Sequence, residues 1–356
     1  MVSFIKRTDW RLFIAACGLT IAGLLSLASN ERDFFWKQIA WTLCGLLCAF
    51  ILSYIDLRSF FSRKSIMIGI YSVGMALLIA TYFFAPVVKG NRAWIFIGPF
   101  QFQPSEFMKV ALVIVLAYFF SRRHVGIAHV RTLLESLVIA GIPAIAIALQ
   151  PEMGSALLLC ALWFGFVVIS GLPWKHITVF ALIGVVCFAG MWLFVLKDYQ
   201  KDRIINVIYP NADPLGASYN VIQSKIAIGS GGFFGKGFSQ GTQVQLGFLP
   251  EAHNDFIFSA ITEEGGLFAA CSVVILFLWM IKRLLSIGQR VEGNTTRFIC
   301  AGTAILFTAQ FVVNIGSTMG LLPVIGVTLP FVSYGGSSIL ASWMLIGIVQ
   351  SMYTKQ

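Results

Sequence analysis

The sequence predicts an all-α polytopic membrane protein with about ten transmembrane helices, both termini cytoplasmic, and a large extracytoplasmic loop between helices 7 and 8. Three observations carry this expectation. Hydrophobic residues fill 58% of the 356 positions, with 32 phenylalanines, against roughly 45–50% apolar residues in soluble domains. Charged residues are only 11%, and mean hydropathy is +0.85. The apolar residues also gather into ten runs, near 12–29, 36–55, 65–84, 105–120, 133–149, 155–170, 177–196, 256–281, 297–315 and 337–353. A helix needs about 20 such residues to cross a bilayer. A single membrane domain, residues 1–356, accounts for the chain, which shows no fixed-period repeat and no low-complexity tract.

The first run follows Lys6, Arg7 and Arg11 and contains a small-x-small pair, Ser26 and Ala28. Its length favours a retained anchor over a cleaved signal. Arg58, Arg63 and Lys64, then Arg122, Arg123 and Arg131, then Lys175, then Lys282, Arg283, Arg290 and Arg297, and finally Lys355 fall on the same side as these N-terminal charges. That asymmetry is an orientation signal, so the net charge of +10 does not point to nucleic acid. The seven cysteines all lie in apolar runs and read as small buried hydrophobes, neither a disulfide framework nor a metal site.

The outer segments 85–104, 197–255 and 316–336 are rich in Gly, Pro and polar residues yet keep apolar and aromatic ones, so they are expected to fold onto the outer membrane face. From Ser218 to Ile228, Tyr219, Ile222 and Ile226 recur at helical spacing among Asn220, Gln223 and Lys225, as in an interfacial helix. A glycine-rich turn carrying Lys236 follows; with no soluble βα unit after it, it is no phosphate-binding fingerprint. The last outer segment carries Pro323, Pro330, Gly335 and Gly336 within apolar surroundings, the mark of a broken or re-entrant helix buried in protein or lining a cavity.

The chemistry is expected between Gln240 and Gly266, where Glu251, His253, Asp255, Glu263 and Glu264 crowd together and an apolar run starts directly after the aspartate. A carboxylate at the mouth of a span is costly to desolvate and marks function; the alternative for Asp255 is an N-cap, with Glu251 and Glu263 solvated. The fourth span opens with Pro104 and Ser105, then Glu106 and Lys109 at i,i+3 on one face. Upstream lie Lys89, Arg92 and Trp94, which also suit an aromatic belt with basic anchors. Glu152 sits in a very short outer loop, where a solvated turn or a capping box is the alternative. Arg92, Glu106, Lys109, Glu152, Lys225, Lys236 and Asp255 all fall on the outer side. Several cations and one exposed carboxylate suit a lipid-linked pyrophosphate plus a hydroxyl to be deprotonated.

Five blocks carry a resemblance: RAWIFIG ahead of FQPSEFMK, QPEMGSA, the stretch DPLGASYNVIQSKIAIGSGGFFGKG with GTQVQLGFLPEAHNDFIF, and GLLPVIGVTLPFVSYGGSS. In this order they resemble the SEDS family (shape, elongation, division and sporulation) over nearly the whole chain, closer to its elongation branch. The resemblance implies a polymerase of peptidoglycan glycan strands that uses lipid II at the outer face of the bacterial inner membrane. It places the essential aspartate at Asp255, the sensitive basic residue at Arg92, and the family's glutamate and lysine at Glu106 and Lys109. Glu152 stands where many members carry aspartate, and Asn254 where threonine is commoner. It also implies a class B penicillin-binding protein as partner.

From that substrate, an α-linked sugar pyrophosphate becoming a β-1,4 bond requires inversion in one displacement, with one base. Asp255 is the expected base toward the acceptor's 4-hydroxyl, with His253 as its rival. Arg92, Lys109, Lys225 and Lys236 are candidates to neutralise the departing pyrophosphate. A divalent cation is a further candidate for that task, though no cluster has metal-ligand spacing. A division-type polymerase, a lipid II flippase and a non-catalytic scaffold are the alternatives.

Overall fold

A computed structural model describes residues 8–88, 90–98, 100–123, 129–173, 178, 182, 184, 186, 189–190, 192–194, 198–209, 216 and 218–355. In chain order it opens with α1 (Trp10–Asn30), α2 (Arg32–Tyr54), α3 (Leu57–Phe61) and α4 (Lys64–Phe84). A hairpin, β1 (Ile95–Ile97) and β2 (Phe100–Phe102), leads into α5 (Pro104–Arg123), α6 (Val130–Ala148) and α7 (Met153–Ile169). After α8 (Asp198–Ile208), α9 (Tyr219–Ser230) and α10 (Thr242–Gln245) come α11 (Ile257–Arg290), α12 (Asn294–Thr318) and α13 (Gly336–Thr354).

Seven of the described helices, α1, α2, α4, α5, α6, α11 and α12, are long and apolar enough to cross a membrane. The shorter α7 and the 19-residue α13 fall on the sixth and tenth apolar runs. The seventh run, 177–196, lies mostly outside the described residues, as do Lys6, Arg7, Lys89, Lys175 and most of the DPLGAS motif. The chain is thus a polytopic helical membrane protein. Its outer face agrees: Phe84 is 86% and Phe268 69% exposed, large apolar side chains that lipid covers and water does not.

Two helices form the centre. Helices α5 and α13 are buried along almost their whole length, and apart from a few polar residues they are apolar, as helices enclosed by others must be. Helix α13 lies along α2, where a Cβ on Gly347 would come 2.7 Å from Ala49 Cα; small residues let membrane helices approach this closely. Helix α11 packs on α1 and α12, and α12 reaches α5 and α7.

One end of the bundle gathers both termini. The Asp9 amide donates to Gln350 Oε1 (3.1 Å), Gln350 Nε2 donates to the Asp9 carbonyl (2.8 Å), and Arg283 Nε meets the Asp9 carboxylate at 2.7 Å. Arg58 reaches the Lys355 carbonyl. The other end carries the outer elements. Segment 85–104 contains the antiparallel hairpin, with Phe96 opposite Gln101, and the amide of Gln103 donates to Ser337 Oγ (2.9 Å) at the start of α13. Helix α9 forms where the spacing places it, but its buried residues are Ser224 and Ala227, not Tyr219, Ile222 and Ile226. Ser224 Oγ lies 2.6 Å from Ser259 Oγ and donates to the Thr318 carbonyl (2.7 Å). Ile226 is exposed while Tyr219 and Ile222 are half-buried, so the apolar stripe is not the buried face of α9.

The apolar run that begins at Phe256 is not one continuous helix. Gly266 breaks α11 with φ 68° and ψ −169°, freeing carbonyls and amides that the bilayer cannot satisfy. The glycine-rich turn satisfies them. Lys236 N and Gly237 N donate to the carbonyls of Glu263 and Glu264, and the amides of Leu267 and Phe268 donate to Gly232 and Phe233. A Cβ on Gly266 would meet Gly235 N at 2.3 Å, and one on Gly235 would meet the Glu264 carbonyl at 2.1 Å. The conformation is essentially reserved for glycine, at about 1–3 kcal/mol otherwise. Gly266→Ala is therefore expected to destabilise the protein by at least that amount and to lower its thermal unfolding midpoint in detergent.

Candidate functional site

Residues 251–256 form a tight turn ahead of α11, with Glu251 at φ +54° and its carbonyl accepting from the amides of Asn254 (3.0 Å) and Phe256 (3.3 Å). Three successive carbonyls of this turn are then held from outside it. The Tyr334 amide donates to His253 O (2.8 Å), Ser333 Oγ to Asn254 O (2.8 Å), and Asn314 Nδ2 to Asp255 O (3.1 Å). The N-cap position of α11 falls on Phe256, without a side-chain cap, so the capping role available to Asp255 belongs to its neighbour. Asp255 is half-buried, and a Cβ on Gly326 would lie 4.0 Å from its Oδ2. The carboxylate therefore faces the irregular segment 319–335.

That segment answers the expectation of non-helical backbone buried in protein: Leu329, Phe331 and Val332 are each at most 2% exposed. Its polar groups find partners. Leu329 N donates to Ser333 Oγ (2.9 Å), Gln38 Nε2 donates to Ser333 O (3.1 Å), and Asn314 Nδ2 also donates to Val327 O (2.8 Å).

His253 sits beside Asp255 in a cage. Its Nδ1 is 3.1 Å from Glu31 Oε1 and its Nε2 is 3.6 Å from Glu251 Oε2, while the Phe34 ring packs 4.6 Å from the imidazole and 4.4 Å from Tyr334. Both ring nitrogens thus lie against carboxylates.

Glu106 and Lys109 pair at 2.7 Å on α5, 5% and 2% exposed. Such ions persist at membrane depth only when paired. Next to them Glu152 Oε1 accepts from Gln103 Nε2 (2.7 Å), Ser105 Oγ (2.8 Å) and Ser155 Oγ. Burial pushes the Glu152 carboxyl above the usual carboxylate range, against the pull of the two hydroxyls and Lys109. The start of α7 leans on the segment that Asp255 faces: a Cβ on Gly154 would meet Ile325 O at 2.4 Å and Gly326 O at 3.3 Å. The Glu106–Lys109–Glu152 cluster and the Asp255 turn thus border the same stretch of chain.

Lys236 is placed differently. Its Nζ binds Glu263 Oε1 (2.7 Å) and Thr242 Oγ1 (2.6 Å). Glu263 is fully buried and further accepts from Thr242 Oγ1, Gln243 N (2.9 Å) and Val244 N (3.2 Å). Glu264 accepts from Ser29 Oγ (2.5 Å) and Gln245 Nε2 (3.2 Å). Far from being solvated, Glu263 anchors segment 236–244 to α11. Arg92 and Lys225 are exposed, on the approach to β1 and on α9, where Lys225 lies against the turn at Gly320. Among the described residues no three His, Cys, Asp or Glu side chains come together as a metal site.

Sequence reasoning missed Asn314 and Ser333, which hold the turn, Gln38, which holds segment 319–335, and Glu31, whose carboxylate lies 3.1 Å from His253 Nδ1. Asn314 alone carried a readable signal, an amide within an apolar span.

Fold and site together define a polytopic membrane protein in which a carboxylate-bearing turn held at three carbonyls and a buried Glu106–Lys109–Glu152 cluster border one irregular segment, at the end of the bundle opposite Asp9 and Lys355. The chain belongs to the FtsW/RodA/SpoVE family of cell cycle proteins, the SEDS family, whose model matches residues 12–356. It is 38% identical to the peptidoglycan glycosyltransferase MrdB of Escherichia coli K12, over 99% of this chain and 96% of that protein. It is 32% identical to a probable peptidoglycan glycosyltransferase FtsW of Hydrogenovibrio crunogenus, over 93% and 86%. Among solved structures, a chain from work on the structural coordination of polymerization and crosslinking by a peptidoglycan synthase complex superposes with a TM-score of 0.83 at 32% identity, covering 98% of each. The rod shape determining protein RodA of Thermus thermophilus superposes with a TM-score of 0.72 at 27% identity, covering 97% of this chain and 96% of that one.

Breaking a buried ion pair by removing one partner costs about 3–5 kcal/mol, whereas neutralising both costs far less. Lys236→Met is therefore expected to destabilise strongly, and Lys236→Met with Glu263→Gln to recover much of the loss. A double-mutant cycle by thermal unfolding checks this.

Proposed function

We propose that this chain is a peptidoglycan glycosyltransferase of cell elongation that joins lipid II into β-1,4 glycan strands and releases undecaprenyl pyrophosphate. The observation that carries the reading is the Asp255 turn: a carboxylate on a backbone fixed at three carbonyls, facing the irregular segment 319–335, in a protein related end to end to a named peptidoglycan glycosyltransferase. Asp255 takes the proton from the acceptor sugar's 4-hydroxyl as that oxygen attacks the anomeric carbon of the donor. Its rigid support keeps the reacting atoms aligned, the largest lever a fixed site has. His253 is enclosed by Glu31, Glu251 and two aromatic rings, and it acts to order the turn.

The cations divide. Lys109 and Lys236 already neutralise Glu106 and Glu263, so Arg92 and Lys225, both exposed, are left to meet the departing pyrophosphate. The catalytic end faces the periplasm, because the opposite end holds both termini and the basic loops that stay in the cytoplasm. A class B penicillin-binding protein is the partner this reading implies, supported by the likeness to a chain from a peptidoglycan synthase complex.

The test is strand formation from purified lipid II, followed by gel, with the protein and its partner in vesicles. Wild type is expected to make strands, and a folded Asp255→Asn variant to be slower by about 10²–10⁴-fold, the usual worth of a general base. Wild-type rates in that variant contradict the assignment.

A further inference from the structure

We propose that Asn314 is a positioning residue for Asp255, through its side-chain amide and not through packing. The inference rests on the reading of Asp255 as the base. Asn314 lies near the end of α12 and is 1% exposed. Its Nδ2 donates to the carbonyl of Asp255 at 3.1 Å and to that of Val327 at 2.8 Å. Both partners are carbonyl oxygens, so only the NH₂ group fits between them and the amide's orientation follows from the chemistry. Both carbonyls also belong to non-helical backbone, and the bond to Val327 is buried, where a lost donor is not readily replaced by water.

One side chain thus ties the peptide that bears the carboxylate to the segment the carboxylate faces. Gly326, beside Val327, is where a Cβ would come 4.0 Å from Asp255 Oδ2. Beside the bonds from Tyr334 N to His253 O and from Ser333 Oγ to Asn254 O, this amide is the tie made at the Asp255 peptide itself, so its two hydrogens help to set the separation between the base and the wall opposite. Asn314 Oδ1 is buried and has no hydrogen-bond partner among the described residues. Interiors select against such an atom, so the side chain is retained there for its two donors. Without them the Asp255 carbonyl is free to turn away, and a shift of about 1 Å at a reacting group costs about 100-fold in rate.

The experiment measures kcat and KM for strand formation from lipid II, using the full chain with its partner. It compares Asn314→Ala, Asn314→Asp and Asp255→Asn, each checked for folding by size-exclusion chromatography. Asn314→Ala is expected to lose about 100-fold in kcat with KM within about threefold, since alignment and not uniform binding is removed. Asn314→Asp has the same shape but turns a carboxyl group toward two carbonyls, and is expected to be slower still. A packing role reverses that order, the isosteric aspartate outperforming alanine, and this result overturns the proposal. So does a wild-type kcat in Asn314→Ala, which decides alone if Asn314→Asp does not fold. If Asp255→Asn keeps wild-type activity, the reading of Asp255 as base has failed and the proposal falls with it. If Asp255→Asn is inactive while Asn314→Ala is unimpaired, only the positioning role is lost.

Discussion

A carbonyl that leaves helical pairing inside a membrane bundle needs a donor from the protein itself, and at His253, Asn254 and Asp255 three consecutive ones find theirs in Tyr334, Ser333 and Asn314. Much else follows from meeting that need. Segment 319–335 has to run through the interior to supply two of the donors, and Gln38 of α2 has to hold that segment in turn. Helices α2, α12 and α13 therefore converge on one turn, and the carboxylate that the turn carries inherits their rigidity.

The same constraint shapes the far side of the turn. Between Asp255 and the break at Gly266 runs a helical piece of about two and a half turns, too short to orient itself. Side contacts orient it: Ser259 meets Ser224 of α9, Glu263 gathers Lys236 and the amides of Gln243 and Val244, and Glu264 holds Ser29 and Gln245. Charge is handled by the same economy of partners. Buried Glu106 and Glu263 each keep a lysine, while Asp255 sits on a half-exposed turn and Arg92 and Lys225 are exposed.

Much of this was legible in the residues, and what was not has physical reasons. Apolar runs marked the spans because bilayer thickness alone sets their length, and the five ordered blocks marked the family. The prolines and glycines of 320–338 marked a broken segment correctly. The break at Gly266 did not show, because two glycines inside an apolar run read as helix unless the loop that rescues their backbone is known, and that loop lies some thirty residues upstream. For the same reason the pairing of Lys236 with Glu263 did not show: the two are close only in space. On α9 the apolar stripe was visible but not its direction, since Ser224 and Ala227 pack inward through small size and hydrogen bonding, which periodicity of hydrophobic residues does not register.

The most direct measurement is the pH dependence of single-turnover bond formation between two lipid II molecules, in wild type and in Asp255→Asn. If the fixed carboxylate is the base, the wild-type rate falls about tenfold per pH unit on the acid side as the carboxylate takes up a proton, and the residual rate of the variant loses that limb. An unchanged acid limb in Asp255→Asn would show that another group takes the proton, and would contradict the role assigned to this turn.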